Sequence, residues 1–329
     1  MMQKYLIPDS KIKKVLDTLI LKSVTTIPGD VKLCIKNILK EETSGSMAQK
    51  SIKATFENLL LCEKESLLAC PDTGYPLFYF RIGNNILPEK AFTSLYDRCC
   101  CAVRQATKNN RLRKTMVHPI TRYNPGTNVL QFLPKVEFKF SPHIEYMEIT
   151  FVPKGGGSEI FGTFYRMMTP VDGLKGIKKF VIDSAARAME TGKSCPPNLI
   201  GIGIGGTADL CMKMAKESAL LRPVGSRHPE KLIADMEESL KEDINSLGIG
   251  SMGLGGKFSL LDLHIEYAAS HTAALPVAFN CQCSVCRRAT ARIYTNGKVD
   301  MLDYPDWFER GENDKTTNVT PGYKNNSQS

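Results

Sequence analysis

Three cysteine contexts in this chain are suited to chemistry: Ala69-Cys70-Pro71-Asp72-Thr73-Gly74, Ser194-Cys195-Pro196-Pro197-Asn198 and Asn280-Cys281-Gln282-Cys283. Each borders a segment whose residue pattern reads as a strand, and each has neighbours suited to holding an anion. Thiolates from three distant points of a chain can hold three corners of a cubane iron–sulfur cluster. The fourth iron of such a cluster stays open to substrate and serves as a Lewis acid.

Other groupings compete with that reading. Cys281, Cys283 and Cys286 form C-x-C-x-x-C, which alone fits part of a zinc site. The second half that a cysteine zinc site usually needs is missing. One ligand from this loop, pooled with Cys70 and Cys195, is the more economical arrangement. Cys34, Cys62 and Cys211 lie in helical patterns and read as small core residues. Cys99, Cys100 and Cys101 also fall in a helical stretch, where consecutive side chains diverge and do not easily share one metal.

Lys154-Gly155-Gly156-Gly157-Ser158-Glu159 directly follows a strand pattern. Three successive glycines permit a nest of backbone N–H groups for a carboxylate, and the plain alternative is a flexible connection. Gly201-Ile-Gly-Ile-Gly-Gly206 matches the dinucleotide pattern G-x-G-x-x-G between a strand and a helix. A nicotinamide site also needs a second strand ending in an acid, whereas the helix here runs into Leu221-Arg-Pro-Val-Gly-Ser-Arg-His-Pro229. That reading is rejected. An anion or cluster contact at the helix N-terminus and a tight strand-to-helix turn both stay open. His271 stands twelve residues before Cys283, at a strand entrance, as a structural histidine or an active-site one. His264 and Glu266 either support a ligand from behind or lie on the surface. Arg113 and Arg122 have the fork geometry that grips carboxylates, as does any arginine.

The elements that must position these residues follow from periodicity. Ser10–Leu21 and 30–39 read as helices, with Asp30 as the second one's N-cap. Ile52, Phe56, Leu59 and Leu60 mark a third. Residues 76–82 and 147–151 read as strands. Residues 176–190 read as a helix ending near Gly192, 198–204 as a buried strand, and 208–221 as a helix. A helix opening at Pro229 would face Leu232, Met236, Leu240, Ile244 and Leu247 inward. Residues 275–279 read as a buried strand, and 289–302 as a hairpin turning at Asn296-Gly297. The expectation is an α+β fold: a helical N-terminal layer (1–69), a mixed-sheet domain (70–304) and a polar, disordered tail (305–329).

The 329 residues can bury a sizeable core. Eleven cysteines behind an N-terminus with no apolar signal core point to thiols or metal ligands in a cytoplasmic protein. No apolar run approaches membrane-span length. The net charge of +9 is dispersed and lacks aromatic stacking partners, so it argues for an anionic substrate or acidic partner rather than nucleic acid.

Taken together, the chain resembles the alpha subunit of class I (iron–sulfur) fumarate hydratase and its sister, L(+)-tartrate dehydratase. The segments that carry the resemblance are Ala69–Gly74, Pro153–Glu159, Cys195-Pro-Pro with Gly201–Thr207, Leu247–Gly256, Asp262–Glu266 and Gln282-Cys283. They stand in family order over about residues 45 to 298. The resemblance implies a 4Fe–4S cluster on Cys70, Cys195 and Cys283. It implies a pocket lined by Asp72 and His271, as catalytic groups, and by Arg113, Lys154, Gly155, Gly156, Gly157 and Ser158, as substrate contacts. It also implies a separate beta subunit, in an alpha–beta unit or a dimer of such units, and a small dicarboxylate substrate. Pro71 stands where the family usually has a substrate-contacting Gln. Gly205-Gly206-Thr207 and the glycine-rich loop look more like fumarase, and Gly225-Ser-Arg-His-Pro229 more like the tartrate enzyme. The expected reaction is reversible hydration of fumarate, with L-tartrate dehydration as the alternative. A non-catalytic cluster-bearing or regulatory subunit is a rival of another class.

Overall fold

The computed structural model describes residues 4–308. Its strands are β1 (Tyr5–Ile7), β2 (Tyr75–Ile82), β3 (Ile86–Pro88), β4 (Lys135–Phe140), β5 (Tyr146–Lys154), β6 (Thr163–Met168), β7 (Asn198–Ile204), β8 (Leu260–Tyr267), β9 (Leu275–Gln282), β10 (Ala289–Tyr294) and β11 (Val299–Leu302). Its α-helices are α1 (Asp9–Thr25), α2 (Gly29–Glu41), α3 (Met47–Glu65), α4 (Thr93–Lys108), α5 (Gly156–Phe161), α6 (Gly173–Met189), α7 (Ala208–Leu221) and α8 (Lys231–Ser246). Helices and mixed sheets are interspersed, which is the expected α+β class. Among the described residues, no helix is long and apolar enough to cross a membrane.

Two sheets carry the architecture. One has five strands in the order β11-β10-β5-β2-β4, antiparallel except for the β2–β4 pair. The other has four, ordered β6-β9-β7-β8, antiparallel except for β7–β8. Each sheet has its own core. Phe78, Phe80, Ile149 and Ala291 pack under α1 and α4, and Ile200, Leu263 and Phe279 pack under α6 and α8. A third apolar cluster joins Val31, Ile35, Ile52 and Leu59 of α2 and α3 to Leu199, Cys283 and Cys286. The N-terminal helices therefore divide between the two sheets rather than forming one layer.

The chain passes between the sheets twice. Residues 155–162 lead from β5 to β6, and residues 283–288 lead from β9 to β10. Both crossings fall at one place, because Phe151 of β5 pairs with Ala289 of β10 and Thr163 of β6 with Asn280 of β9. β2 starts there too, since Tyr75 pairs with Lys154.

Several local expectations change. Asp30 is not a cap: it lies in the first turn of α2, accepts from the Val224 N–H at 2.8 Å and pairs with Arg288. Leu232 and Leu247 flank α8's buried stripe on its outer side and are exposed, as is Leu60 on α3. Trp307 falls within the expected tail, yet it is buried against Tyr79 and its indole donates to Glu217 Oε2 at 2.9 Å. The rest of that tail, from 309, lies outside the described residues. After an irregularity at Leu261, β8 alternates, with Leu263 and Ile265 on one face and Asp262, His264 and Glu266 on the other.

The glycines of β7 have a packing cause. A Cβ on Gly203 would stand 2.0 Å from the Cys211 carbonyl oxygen, and one on Gly201 would stand 2.1 Å from that of Ala215. They let α7 lie directly on the strand. Gly203→Ala should therefore cost at least about 2 kcal/mol, as overpacking against backbone does. The check is a lower urea midpoint at unchanged slope.

Candidate active site

Cys70 lies on the loop that leads into β2, Cys195 precedes β7, and Cys283 opens the β9-to-β10 crossing. The sheet order brings all three to the junction. Ser284 N–H donates to the Cys195 carbonyl at 3.0 Å, and the Asn198 side chain donates to the Gln282 carbonyl at 3.1 Å. Cys195 holds a left-handed conformation (φ +57°), unusual for a residue with a Cβ and a mark of local constraint. Burial first, and then the neighbouring Cys283, Cys70 and Asp72, raise the Cys195 thiol to about 11. Burial also raises Cys70, and Cys283 and Asp72 add to this, while the Arg287 guanidinium and a backbone hydrogen bond at Asp72 pull it back. Cys70 and Cys195 thus both sense the charge of Cys283.

Cys281 and Cys286 do not join them. The Cys281 thiol is fully buried toward Gly162 and the Ser158 carbonyl, and burial drives it up to about 12. Cys286 is buried in the cluster under α2 and α3, with its sulfur 3.0 Å from the Cys283 carbonyl. Among the described residues, no three His, Cys, Asp or Glu side chains are grouped to hold a single metal ion. The zinc reading of C-x-C-x-x-C finds no site here. A cubane, whose irons occupy separate corners, takes its thiolates further apart than one ion does.

Asp72 ties the first cysteine loop to the glycine loop. Its Oδ1 accepts from Gly74 N–H at 3.0 Å, and its Oδ2 accepts from Gly156 N–H at 2.6 Å. Only glycine fits at two of the contact points. A Cβ on Gly74 (φ +70°) would meet the Lys154 carbonyl oxygen at 1.9 Å, and one on Gly157 would meet that of Lys193 at 2.6 Å. The loop is neither a flexible connection nor an open nest. It closes into the short helix α5, with Asp72 already on Gly156.

Lys154 is fully buried. Its Nζ donates to Ser158 Oγ at 2.7 Å and to the Cys281 carbonyl at 2.5 Å, and it lies 3.7 Å from Glu159. Burial lowers its pKa against the pull of Cys281 and Glu159. Lys154 and Ser158 thus brace the loop from inside. Arg113 borders the site through its backbone: its N–H donates to Thr73 Oγ1 at 2.6 Å, while its side chain is exposed. A cavity of about 540 Å³ opens beside Asp72 and Gly156, lined also by Val117, His118, Arg122 and Ile160. Ile160 in its lining and Phe132 (82% exposed) in that of the adjoining cavity are exposed, as are Ile120 (84%) and Tyr123, next in sequence to the lining residues Pro119 and Arg122.

Two expected positions lie elsewhere. His271 is exposed in the β8–β9 connection, its Nδ1 accepting from Ala273 N–H. β9 then runs eight residues, at about 3.3 Å each, before reaching Cys283, so His271 sits at the opposite end of the sheet, over 20 Å away. The Gly205-Gly206 turn and the N-terminus of α7 share that far end, which leaves the strand-to-helix turn as their role. His264 is fully buried on β8, with Nε2 3.4 Å from Asp262. Burial lowers its pKa. Burial alone would raise Asp262, but His264, Lys241 and Arg227 together hold it far below the carboxylate range. Asp262 also accepts from Gly225 N–H at 2.6 Å, so the Asp262–Glu266 and Gly225–Pro229 segments form one structural network.

Sequence comparison decides the family. The family model described as fumarate hydratase (Fumerase) matches residues 13–292. The chain belongs to the fumarate hydratase/L(+)-tartrate dehydratase alpha-subunit family. It is an enzyme family of hydro-lyases. A Methanocaldococcus jannaschii protein named "Putative L(+)-tartrate dehydratase subunit alpha" is 42% identical over 290 residues, 88% of this chain and 100% of that protein. L(+)-tartrate dehydratase subunit alpha of Escherichia coli K12 is 31% identical over 280 residues, 85% of this chain and 90% of that protein.

Arg287 went unmarked in the sequence. It is fully buried at the junction, and its Nη2 donates to the Asp72 carbonyl at 2.6 Å. No motif signals it, because Arg287-Arg288 looks like any basic pair.

The Asp72 clamp gives a direct test. Asp72→Asn turns an amide NH2 toward a backbone donor and leaves one N–H unsatisfied. It should cost about 1–3 kcal/mol in the metal-free chain, measured by chemical denaturation.

Proposed function

We propose that this chain is the catalytic alpha subunit of an iron–sulfur hydro-lyase acting on a four-carbon dicarboxylate. The observation that carries the reading is the convergence of Cys70, Cys195 and Cys283 beside the Asp72–Gly156 contact and an adjoining cavity. The donor set suits such a cluster. Three thiols at one junction, two of them half-buried and raised in proton affinity by burial and by Cys283, favour a partner positive enough to displace the protons, as metal ions do. Cys70, Cys195 and Cys283 would hold a 4Fe–4S cluster, whose open iron supplies a Lewis acid for the hydroxyl that leaves or enters.

The chain's own groups do the rest. Asp72 holds the Cys70 turn and the glycine loop in fixed register, so the reacting carbon has a constant frame. Arg113, anchored through Thr73 with its side chain free at the surface, is suited to a substrate carboxylate. Lys154 contributes a buried positive charge behind the loop, which favours the negative charge that builds on proton removal beside a carboxylate. His271 cannot reach this centre within one chain, and no step is assigned to it. The relatives are named alpha subunits. With the exposed Ile160 and Phe132 lining the two cavities and the exposed Ile120 and Tyr123 on the neighbouring segment, that supports a beta subunit covering this face and completing the site.

Two substrates follow from two observations. The family description favours fumarate hydration, and the relatives' names favour L-tartrate dehydration. Neither the Gly205–Thr207 turn nor the Gly225–Pro229 segment discriminates, since the turn is remote from the cysteines and the segment serves the Asp262 network. Anaerobic assay with the beta partner on fumarate and on L-tartrate separates the two readings. Activity on neither would overturn the proposal in favour of a regulatory subunit.

Single Cys→Ser changes at 70, 195 and 283 should each abolish iron and sulfide binding, whereas Cys281→Ser and Cys286→Ser should retain it. Iron and acid-labile sulfide per chain are the readout. A requirement for Cys281 without one for Cys70 would refute the ligand assignment.

A further inference from the structure

Arg287 and Arg288 are adjacent on the β9-to-β10 crossing, and their surroundings differ sharply. Arg288 is fully engaged: it pairs with Asp30, and its Nε donates to the Asp303 carbonyl at 3.1 Å. Arg287 is 1% exposed. Its single hydrogen bond runs from Nη2 to the Asp72 carbonyl, and its Nε and Nη1 are buried without a partner. No carboxylate is paired with it. The same Nη2 would lie 3.8 Å from a Cβ on Gly155, so the guanidinium is wedged between the first cysteine loop and the glycine loop. Cys70 is the thiol whose charge it senses.

A buried guanidinium with two idle donors and no anion is costly, and proteins rarely keep one without compensation. The Asp72 carboxylate nearby is taken up by two backbone N–H groups, and further negative charge gathers at this junction when the cysteines bind metal as thiolates. Three thiolates there supply the missing charge.

We infer that Arg287 is the buried counter-cation of the three-cysteine centre, balancing the charge of the thiolates and of what they hold while fixing the Cys70–Asp72 turn through its carbonyl contact. The inference rests on the iron–sulfur reading above. Arg287 is a positioning residue, since it is buried behind the junction and its one hydrogen bond goes to the Asp72 carbonyl. Charge and hydrogen bonding around a cluster set how tightly it is held and its reduction potential.

The test uses the full chain, reconstituted anaerobically with iron and sulfide, as wild type, Arg287→Met and Arg287→Lys. In Arg287→Met, iron should be lost to a chelator about 10-fold faster or more, the effect expected for groups that support metal ligands from behind. Its cluster midpoint potential should move to a more negative value, because a nearby positive charge favours the reduced state. Its metal-free form should melt no lower than wild type, since an uncompensated charge has been removed from the interior. Arg287→Lys keeps the charge and should hold the midpoint near wild type, with iron loss between the two. Wild-type iron retention and midpoint in Arg287→Met would overturn the inference and leave the three-cysteine reading intact. So would a metal-free Arg287→Met that is strongly destabilised, or an Arg287→Lys midpoint shifted as far as the methionine variant's. Failure of the wild-type chain to take up iron and sulfide would overturn the cluster reading itself.

Discussion

Everything at the candidate site depends on one topological constraint: the chain changes sheets twice, and both crossings must occupy the same place. β5 neighbours β10 in one sheet and β6 neighbours β9 in the other, so leaving the first sheet after Lys154 and returning to it at Ala289 brings the glycine loop against the third cysteine. β2 and β7 also start at this junction, adding Cys70 and Cys195. Residues separated by more than 200 positions are held by backbone pairing, which is stiffer than any loop could be. Sites built on the ends of regular elements keep their geometry well for this reason.

The electrostatic character of the junction follows from that placement. Burial makes Cys70 and Cys195 reluctant to ionise, and Cys283 beside them adds repulsion. The compensating charges are also buried. Lys154 is braced by Ser158 and Cys281, and Arg287 is tied to the Asp72 carbonyl. In a medium of low effective dielectric such charges matter far more than the dispersed surface lysines that make up the net +9. Asp72 contributes in another way. Its carboxylate is used up on two backbone N–H groups, so its role is to fix the frame.

Elements whose signals are local were legible in the sequence. β7 and α7 fall at the expected residues, because an all-apolar run bounded by prolines and glycines leaves little choice. The hairpin at Asn296-Gly297 likewise follows from its turn residues. β8 was obscured because Asp262, His264 and Glu266 look like chemistry. They are instead the polar face of a strand, neutralised by Arg222, Arg227 and Lys241. His271 and the Gly205-Gly206 turn looked close to the cysteines because they are close in sequence. β9 and β7 each run the length of the sheet between them and the junction, and spacing carries no information about strand direction. Arg287 was invisible for the opposite reason. Its importance lies in having no paired carboxylate among the described residues, whereas Asp30 pairs with Arg288.

The central claim is that three thiols at the junction of the sheets hold a cluster with one iron left for substrate. Mössbauer spectroscopy of the full chain, reconstituted with 57Fe and sulfide alongside the beta partner, tests it most directly. The account predicts four irons per chain, of which a single one changes its spectrum when the dicarboxylate is added, while the three thiolate-bound irons do not. Four irons that respond alike, or an iron site indifferent to substrate, would contradict it.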